Sequence, residues 1–169
     1  MIGMRDRQSL ESAEQDLIRS LYPSLRRFAA VVGSADIEPD DLVQDALMRA
    51  LRHGPLTDLD NPSAYLRTCI CNLAKDTRRS LGRRRRAYST VAGTMSEGFE
   101  QTYPSDCAEL LRLPPRARAV LYLQEVEGHR PAEIGTMLGM TETAVRSLAS
   151  RSRRRMRRFL SEEVPHATT

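Results

Sequence analysis

The chain has 169 residues, of which 40% are hydrophobic and only 5% are aromatic, with no tryptophan. This composition suits two small helical cores and disfavours a large β-sandwich. The formal net charge of +4 and the sequence pI of about 9.3 favour an acidic partner such as a nucleic acid.

The first predicted helix begins near Ser12, after a polar stretch over residues 1–11 that we expect to be frayed. Apolar residues recur at three- and four-residue steps from Leu17 to Val32, which is the pattern of one helix face. Pro23 falls inside this pattern, so we expect it to bend or split the helix.

A second helix is predicted to begin at residues 36–39, where acidic caps precede a proline, and to end before Gly54-Pro55. Its predicted inward face consists of Leu42, Val43, Ala46, Leu47, Ala50 and Leu51. Its outward face consists of Asp41, Gln44, Asp45, Met48 and Arg49. Taken alone, the outward face is ordinary solvated surface, but its mixture of charges and one apolar anchor could also dock a partner helix.

The third helix is predicted to begin with Asn61 as its cap and Pro62 in its first turn, and to fade at Gly82. Its predicted inward residues are Tyr65, Leu66, Cys69, Ile70, Leu73 and Ala74. Its predicted exposed residues are Arg67, Thr68, Asn72, Lys75, Asp76 and Arg79. Four arginines, 83–86, follow the helix.

Periodicity disappears between Ala87 and Tyr103, which predicts a flexible linker. Beyond the linker, start signals at Asp106, Pro115, Pro131 and Thr141 predict four short helices. The second of them is expected to carry Ala117, Val120, Leu121 and Val126 on one side. The predicted fold class is therefore all-α, with two small helical domains joined by a flexible linker.

The segment "PAEIGTMLGMTETAVRSL" has the spacing of a helix-turn-helix. Ile134 and Leu138 lie on one helix face, and Gly139 can adopt the left-handed conformation that a sharp turn requires. Val145 and Leu148 would then pack the second helix onto the first. An ordinary helical hairpin is the alternative reading of this spacing.

Packing of the second helix in this way fixes its outward face. Gly135 is small at the point where the second helix must cross the first closely, and Met140 would fill the corner of the turn between them. The residues expected to face outward are Thr143, Arg146, Ser147, Ser150, Arg151 and Arg154. Hydroxyl and guanidinium groups bind base edges and phosphates, and the dense arginines that follow favour DNA over a merely soluble surface.

No feature indicates an enzyme, a metal site or a cofactor. Cys69, Cys71 and Cys107 lack chelating spacing, and the three histidines are scattered, so we expect reduced thiols and no bound metal. Phosphate-binding, zinc-protease and nucleophile-elbow motifs are missing. No apolar stretch reaches the roughly 20 residues of a membrane span, and no signal segment begins the chain, so a cytoplasmic location is expected.

Three segments occur in an order that resembles a known family: "DDLVQDALMRALR", "NPSAYLRTCICNLAKDTRR" and "LPPRARAVLYLQEVEGHRPAEIGTMLGMTETAVRSLASRSRRRM". Together they resemble the extracytoplasmic-function (ECF) sigma factors, the initiation subunits of bacterial RNA polymerase, from Asp16 to Leu160. The resemblance implies sigma region 2 over 12–86, a linker over 87–104 and sigma region 4 over 105–160.

The resemblance also implies a role for each surface. Core polymerase would bind Asp41, Gln44, Asp45, Met48 and Arg49. The −10 promoter element would be opened and held by Asn61, Tyr65, Arg67, Asn72, Lys75, Arg78 and Arg79. The −35 element would be read by Thr143, Arg146, Ser147, Ser150, Arg151 and Arg154. Asn61 could instead serve only as a helix cap, and Tyr65 only as a core residue.

Family membership would give the chain three partners, which are core RNA polymerase, promoter DNA and an anti-sigma factor. Leu148 stands where the family often has arginine, so base readout is expected to depend more on Arg146 and its neighbours. We expect no regulatory domain after residue 160. The main alternative is a free-standing DNA-binding regulator that dimerises on a palindromic site, but it leaves the acidic helix without a use.

Overall fold

The computed structural model describes residues 4–34, 37–91 and 108–162. Within these ranges the chain is helical and contains no β-strand, which confirms the predicted all-α class. The helices are α1 Met4–Val32, α2 Pro39–Leu51, a 3-10 turn Leu56–Asp58, α3 Pro62–Val91, α4 Ala108–Leu111, α5 Pro115–Leu121 with a π-helical continuation Tyr122–Val126, α6 Pro131–Leu138 and α7 Glu142–Glu162. No described helix combines the length and apolar character needed to cross a lipid bilayer.

Helices α1, α2 and α3 pack on one another as the N-terminal module. The buried positions of α2 are Leu42, Val43, Ala46 and Ala50, with Leu47 packed partly against them, as predicted. Leu51 was expected to face inward but is exposed, because it lies about 100° around the helix from the buried Ala50, at the edge of the buried stripe of α2.

Helix α1 begins earlier than predicted and is not split. Residues 4–11, expected to be frayed, belong to the helix, and Pro23 lies inside it. Pro23 is exposed, so the carbonyl group that loses its N–H partner can bond to water without breaking the helix.

Helix α3 is longer than the sequence pattern predicts. It does not fade at Gly82 but continues through the four arginines to Val91, so it includes the first residues of the predicted linker. Arginine is a good helix former, which explains why apolar periodicity ends before the helix does. Residues 92–107, which include the rest of the predicted linker and Asp106, lie outside the described residues.

In the C-terminal module, α5 widens into a π-helical turn at Tyr122–Val126, where the Glu127 N–H bonds to the Tyr122 carbonyl at 3.2 Å. The five-residue spacing rotates the end of this helix relative to α-helical phase. Val126, expected on the same side as Ala117, is 70% exposed, because nine residues at about 100° each put it on the opposite side of the helix. A small cluster of Leu113, Ala117, Leu121 and Phe159 joins α5 to α7.

The two modules share one apolar core. A single cluster of buried residues runs from Leu25 in α1 to Ala149 in α7. At its centre the Phe28 ring meets the edge of the Tyr122 ring, with centroids 6.2 Å apart. The buried Arg118 donates to the Val32 carbonyl at 2.5 Å, which satisfies a carbonyl at the C-terminus of α1. Two separate cores were expected, but the described residues form one interface-spanning core.

Candidate nucleic-acid interface

The turn between α6 and α7 has the geometry that the glycine pattern predicts. Gly139 adopts φ 60° and ψ 47°, the left-handed conformation. The Met140 N–H donates to the Gly135 carbonyl at 2.8 Å, and a Cβ atom on Gly135 would lie 2.6 Å from the Met140 carbonyl oxygen. Gly135 is therefore required by the close approach of the turn itself, and the helix-turn-helix prediction is confirmed.

Thr141 caps the recognition helix α7, since its Oγ1 accepts the Ala144 N–H at 3.2 Å. We expect Thr141→Ala to lower the free energy of unfolding by about 1 kcal/mol, because one N–H at the start of α7 loses its partner. Thr141→Ser keeps the accepting oxygen and is the matched control. Chemical denaturation of the three proteins measures the difference, and equal loss in both variants would contradict the capping role.

The outward face of α7 is open to solvent. Thr143, Arg146, Ser147, Ser150, Arg151 and Arg154 are all exposed, as predicted. Val145 and Ala149 are buried beneath them, and Leu148 is half-buried against both clusters. The face thus presents hydroxyl and guanidinium groups in one row, the donor types that contact phosphates and base edges.

Glu142, which sequence reasoning did not select, lies at the start of this face. Its Oε1 is 2.5 Å from Arg146 Nη2, an ion pair across one helical turn. The four-residue spacing of the two side chains was the available signal. A carboxylate at this end of a helix also suits the helix dipole, and here it holds the guanidinium of Arg146 near the N-terminus of α7.

The predicted polymerase-binding face of α2 is exposed along its length. Asp41, Gln44, Asp45, Met48 and Arg49 all face solvent, and Met48 is 55% exposed. Met48 is thus an apolar side chain exposed among charges, a residue type that is enriched where proteins contact partners.

A polar brace holds the first turn of α2 against α1. Asp40 accepts hydrogen bonds from the Tyr22 hydroxyl at 2.7 Å and from Arg26 Nε at 2.9 Å. The hydrogen bond from Tyr22 is the largest cause that lowers the pKa of Asp40, and the bond from Arg26 is the second. The same bond to Asp40 raises the pKa of the Tyr22 hydroxyl. A carboxyl whose pKa is lowered on folding stabilises the fold above its unfolded pKa, and this contribution is lost as pH falls through the folded value.

Most of the predicted −10 residues are exposed on α3 or its cap. These are Asn61, Tyr65, Asn72, Lys75, Arg78 and Arg79. Asn61 Oδ1 accepts the Ala64 N–H at 2.9 Å, so its capping role is confirmed, while a base contact stays a prediction. Tyr65 faces outward, contrary to its predicted inward position. The pKa of its phenol is raised, first by the nearby Cys69 and second by burial.

Arg67 is the exception, because the structure buries a residue that was predicted to be exposed. Only 6% of Arg67 is accessible. Its Nη2 lies 3.0 Å and 3.3 Å from the two carboxylate oxygens of Glu127 in the C-terminal module. The neighbouring Thr68 donates to the Met137 carbonyl at 2.8 Å, and Arg78 donates to the Leu113 carbonyl at 3.1 Å.

The cysteines have the inert environment that their spacing indicates. Burial raises the pKa of Cys71 to about 12 and also raises the pKa of Cys69. Both thiols are therefore protonated at neutral pH. Cys107 lies outside the described residues, and within them no cluster of histidine, cysteine or carboxylate side chains could hold a metal ion.

Comparison with known proteins matches both modules to one family. The model for sigma-70 region 2 matches residues 17–84, and the model for sigma-70 region 4 matches residues 108–156. The ECF RNA polymerase sigma factor SigL of Mycobacterium tuberculosis is 30% identical over 168 residues, which cover 89% of this chain and 93% of SigL. The chain belongs to the ECF sigma factors.

Other relatives agree with this assignment. The ECF sigma factor SigM of Mycobacterium tuberculosis is 27% identical over 88% of this chain and 77% of its own length. The fold resembles that of the sigma factor RpoE in its complex with the anti-sigma factor NepR from Bartonella quintana, with a TM-score of 0.64 and 23% identity over 89% of this chain and 98% of RpoE. ECF sigma factors are non-enzymatic transcription initiation factors, so the chain is not an enzyme.

Proposed function

We propose that this ECF sigma factor binds core RNA polymerase through the exposed face of α2, opens the −10 element with α3 and reads the −35 element with α7. The observation that carries the proposal is the helix-turn-helix, whose recognition helix exposes all six polar residues expected to face DNA. The exposed Asn72 and Tyr65 supply an amide and a flat ring of the kind that holds unpaired bases.

The proposed division of labour follows the modules. Region 2 extends over 12–86, the linker over 87–104 and region 4 over 105–160, although α3 itself continues to Val91. A subunit of RNA polymerase works where transcription occurs, so we propose a cytoplasmic location. No cofactor is assigned.

We also propose regulation by an anti-sigma factor. The support is the likeness to RpoE of Bartonella quintana, which was solved in complex with the anti-sigma factor NepR. Both modules of this chain match that fold together, so an inhibitor that contacts both would find corresponding surfaces here.

Transcription from genomic DNA tests the proposed function. Purified chain is added to core polymerase of the source bacterium on sheared genomic DNA, and the 5′ ends of the RNA are mapped. We expect a small set of start sites that share −10 and −35 sequences and depend on the chain. Start sites that are the same with and without the chain would contradict the proposal.

Substitution of Met48 tests the polymerase-binding face of α2. We expect Met48→Asp to weaken association with core polymerase about tenfold or more, because the apolar anchor of the face becomes a charge. Fluorescence anisotropy of the labelled chain, titrated with core polymerase, measures the affinity.

Leu10→Asp is the matched control, because Leu10 is 57% exposed and Met48 is 55% exposed. The control is expected to bind core polymerase like the wild type. Equal weakening by both variants would show that added negative charge, and not the α2 face, determines the loss.

A further inference from the structure

Two arginines on the exposed face of α7 have partners of different charge. Arg146 Nη2 pairs with the carboxylate of Glu142 at 2.5 Å, one helical turn before it. Arg151 Nε instead donates to the backbone carbonyl of Ser147 at 3.2 Å. A carboxylate neutralises the charge of a guanidinium group, whereas a carbonyl does not. The two arginines therefore present the same donors to solvent with different net charge.

This difference in charge determines which group of DNA each arginine suits. The Glu142–Arg146 pair has no net charge, and a phosphate brought to Arg146 would also approach the Glu142 carboxylate, which repels it. Guanine O6 and N7 are neutral acceptors, so they accept guanidinium N–H groups without this repulsion. Arg151 keeps its full positive charge and therefore suits a phosphate.

Arg146 keeps donors available while it is paired. The ion pair engages Nη2, and 68% of the Arg146 side chain stays exposed. A guanidinium group carries N–H donors along more than one edge, so an edge remains for the two-bond contact that a guanine accepts. The ion pair also orders a long side chain before DNA arrives, which lowers the entropy cost of ordering it in the complex.

Glu142 contributes little to the fold of the module. Its ion pair is exposed, and exposed pairs of this spacing add little to stability. The buried side of α7 is formed by other residues, among them Val145 and Ala149, and the cap of the helix is Thr141. A change at Glu142 is thus expected to leave the helix-turn-helix intact, so that its effect on DNA can be measured separately.

We propose that Glu142 is a specificity-determining residue, which holds Arg146 for a guanine of the −35 element and keeps it from binding phosphates at unrelated sequences. Glu142 acts through Arg146 and is a positioning residue. The inference rests on the proposed function, because it requires α7 to read the −35 element. Loss of the carboxylate should make the chain bind DNA more tightly in general and discriminate among bases less.

The variant Glu142→Gln tests the proposal, because it keeps the size of the side chain and removes its charge. We expect the preference for guanine at the position that Arg146 reads to fall about 2- to 10-fold. Binding to a duplex of unrelated sequence should tighten about 2- to 5-fold.

Glu125→Gln is the matched control. Glu125 forms an exposed ion pair with Arg153 at 2.6 Å in the same module, so the variant removes the same charge from a comparable pair. Glu125 is not part of α7, and the control is expected to keep the base preference of the wild type. Any effect of net charge alone would appear equally in both variants.

Two measurements are made on each full-length chain. Transcription with core polymerase, on promoters in which each −35 position is replaced by every other base, gives the ratio of RNA for guanine over each alternative. Fluorescence anisotropy of a labelled duplex of unrelated sequence gives the affinity of the free chain at low salt. Arg146→Ala and the double variant complete a cycle, in which Glu142→Gln is expected to change the base preference only when Arg146 is present.

The outcomes separate this inference from the proposed function. If the wild type directs no chain-dependent start sites, the proposed function fails and the inference fails with it. If the wild type directs them, the inference alone is overturned when Glu142→Gln keeps the wild-type preference, or when it lowers RNA equally for every −35 base. An Arg146-dependent preference for a base other than guanine also overturns it.

Two further results would contradict parts of the proposal. A change of base preference that persists in the Arg146→Ala background would show a direct contact between Glu142 and a base, which overturns the positioning role. Unrelated duplex bound no more tightly by Glu142→Gln than by Glu125→Gln overturns the exclusion of phosphates. If Glu142→Gln does not fold by circular dichroism, Glu142→Ala, which removes the acceptor entirely, decides the result.

Discussion

Replacement of Phe28 by alanine is expected to destabilise both modules together, by about 3–5 kcal/mol. Phe28 is fully buried, its ring meets Tyr122 of the C-terminal module, and the Arg67 guanidinium lies 5.6 Å from its centroid. The substitution would therefore leave a cavity in the core that the modules share. Denaturant unfolding followed by circular dichroism measures the loss of free energy.

Hydrogen exchange locates the effect of Phe28→Ala. Exchange is expected to accelerate in α2 and also in α6, because both helices contribute to the same cluster. Phe159→Ala is the control, since Phe159 belongs to the small cluster of α5 and α7 and lies far along the chain from α2. Faster exchange confined to the N-terminal module in Phe28→Ala would contradict a shared core.

Replacement of Arg146 by alanine is expected to reduce transcription from cognate promoters about 5- to 150-fold, which corresponds to the 1–3 kcal/mol of one base contact. Arg146 is exposed in the first turns of α7, where a recognition helix contacts base edges. Core association should be unchanged, because Arg146 lies on a different module from the α2 face. The preference for one base of the −35 element should be lost in Arg146→Ala.

Arg157→Ala is the matched control for this prediction. Arg157 is also exposed on α7, three turns beyond Arg146, where a side chain would contact phosphate or solvent. Its removal is expected to weaken all promoters by a similar factor and to reduce the salt dependence of binding. The same change in base preference in both variants would contradict a base-reading role for Arg146.

Features set by neighbouring residues could be predicted from the sequence. Asn61 and Thr141 cap their helices, and Gly139 makes the turn of the helix-turn-helix, because each depends on a few adjacent residues. The exposed face of α7 followed from the same local geometry. Family resemblance extended these features to a function that the comparisons confirm.

Features set by distant residues could not be predicted. Periodicity along α3 indicated that Arg67 faces solvent, but its guanidinium lies 5.6 Å from the centroid of the Phe28 ring and pairs with Glu127 of the other module. Val126 was misplaced for a local reason, because nine residues at about 100° each put it on the opposite side of the helix from Ala117. Only the burial of Arg67 depends on packing between elements that are far apart in sequence.

Association with core polymerase is the most direct test of the central claim that this chain is a promoter-specificity subunit. Labelled chain and purified core polymerase of the source bacterium are mixed and separated by size-exclusion chromatography, with a known ECF sigma factor as positive control. We predict that the chain co-elutes with core polymerase and that Met48→Asp reduces this co-elution. A chain that elutes alone, where the positive control binds, would contradict the account.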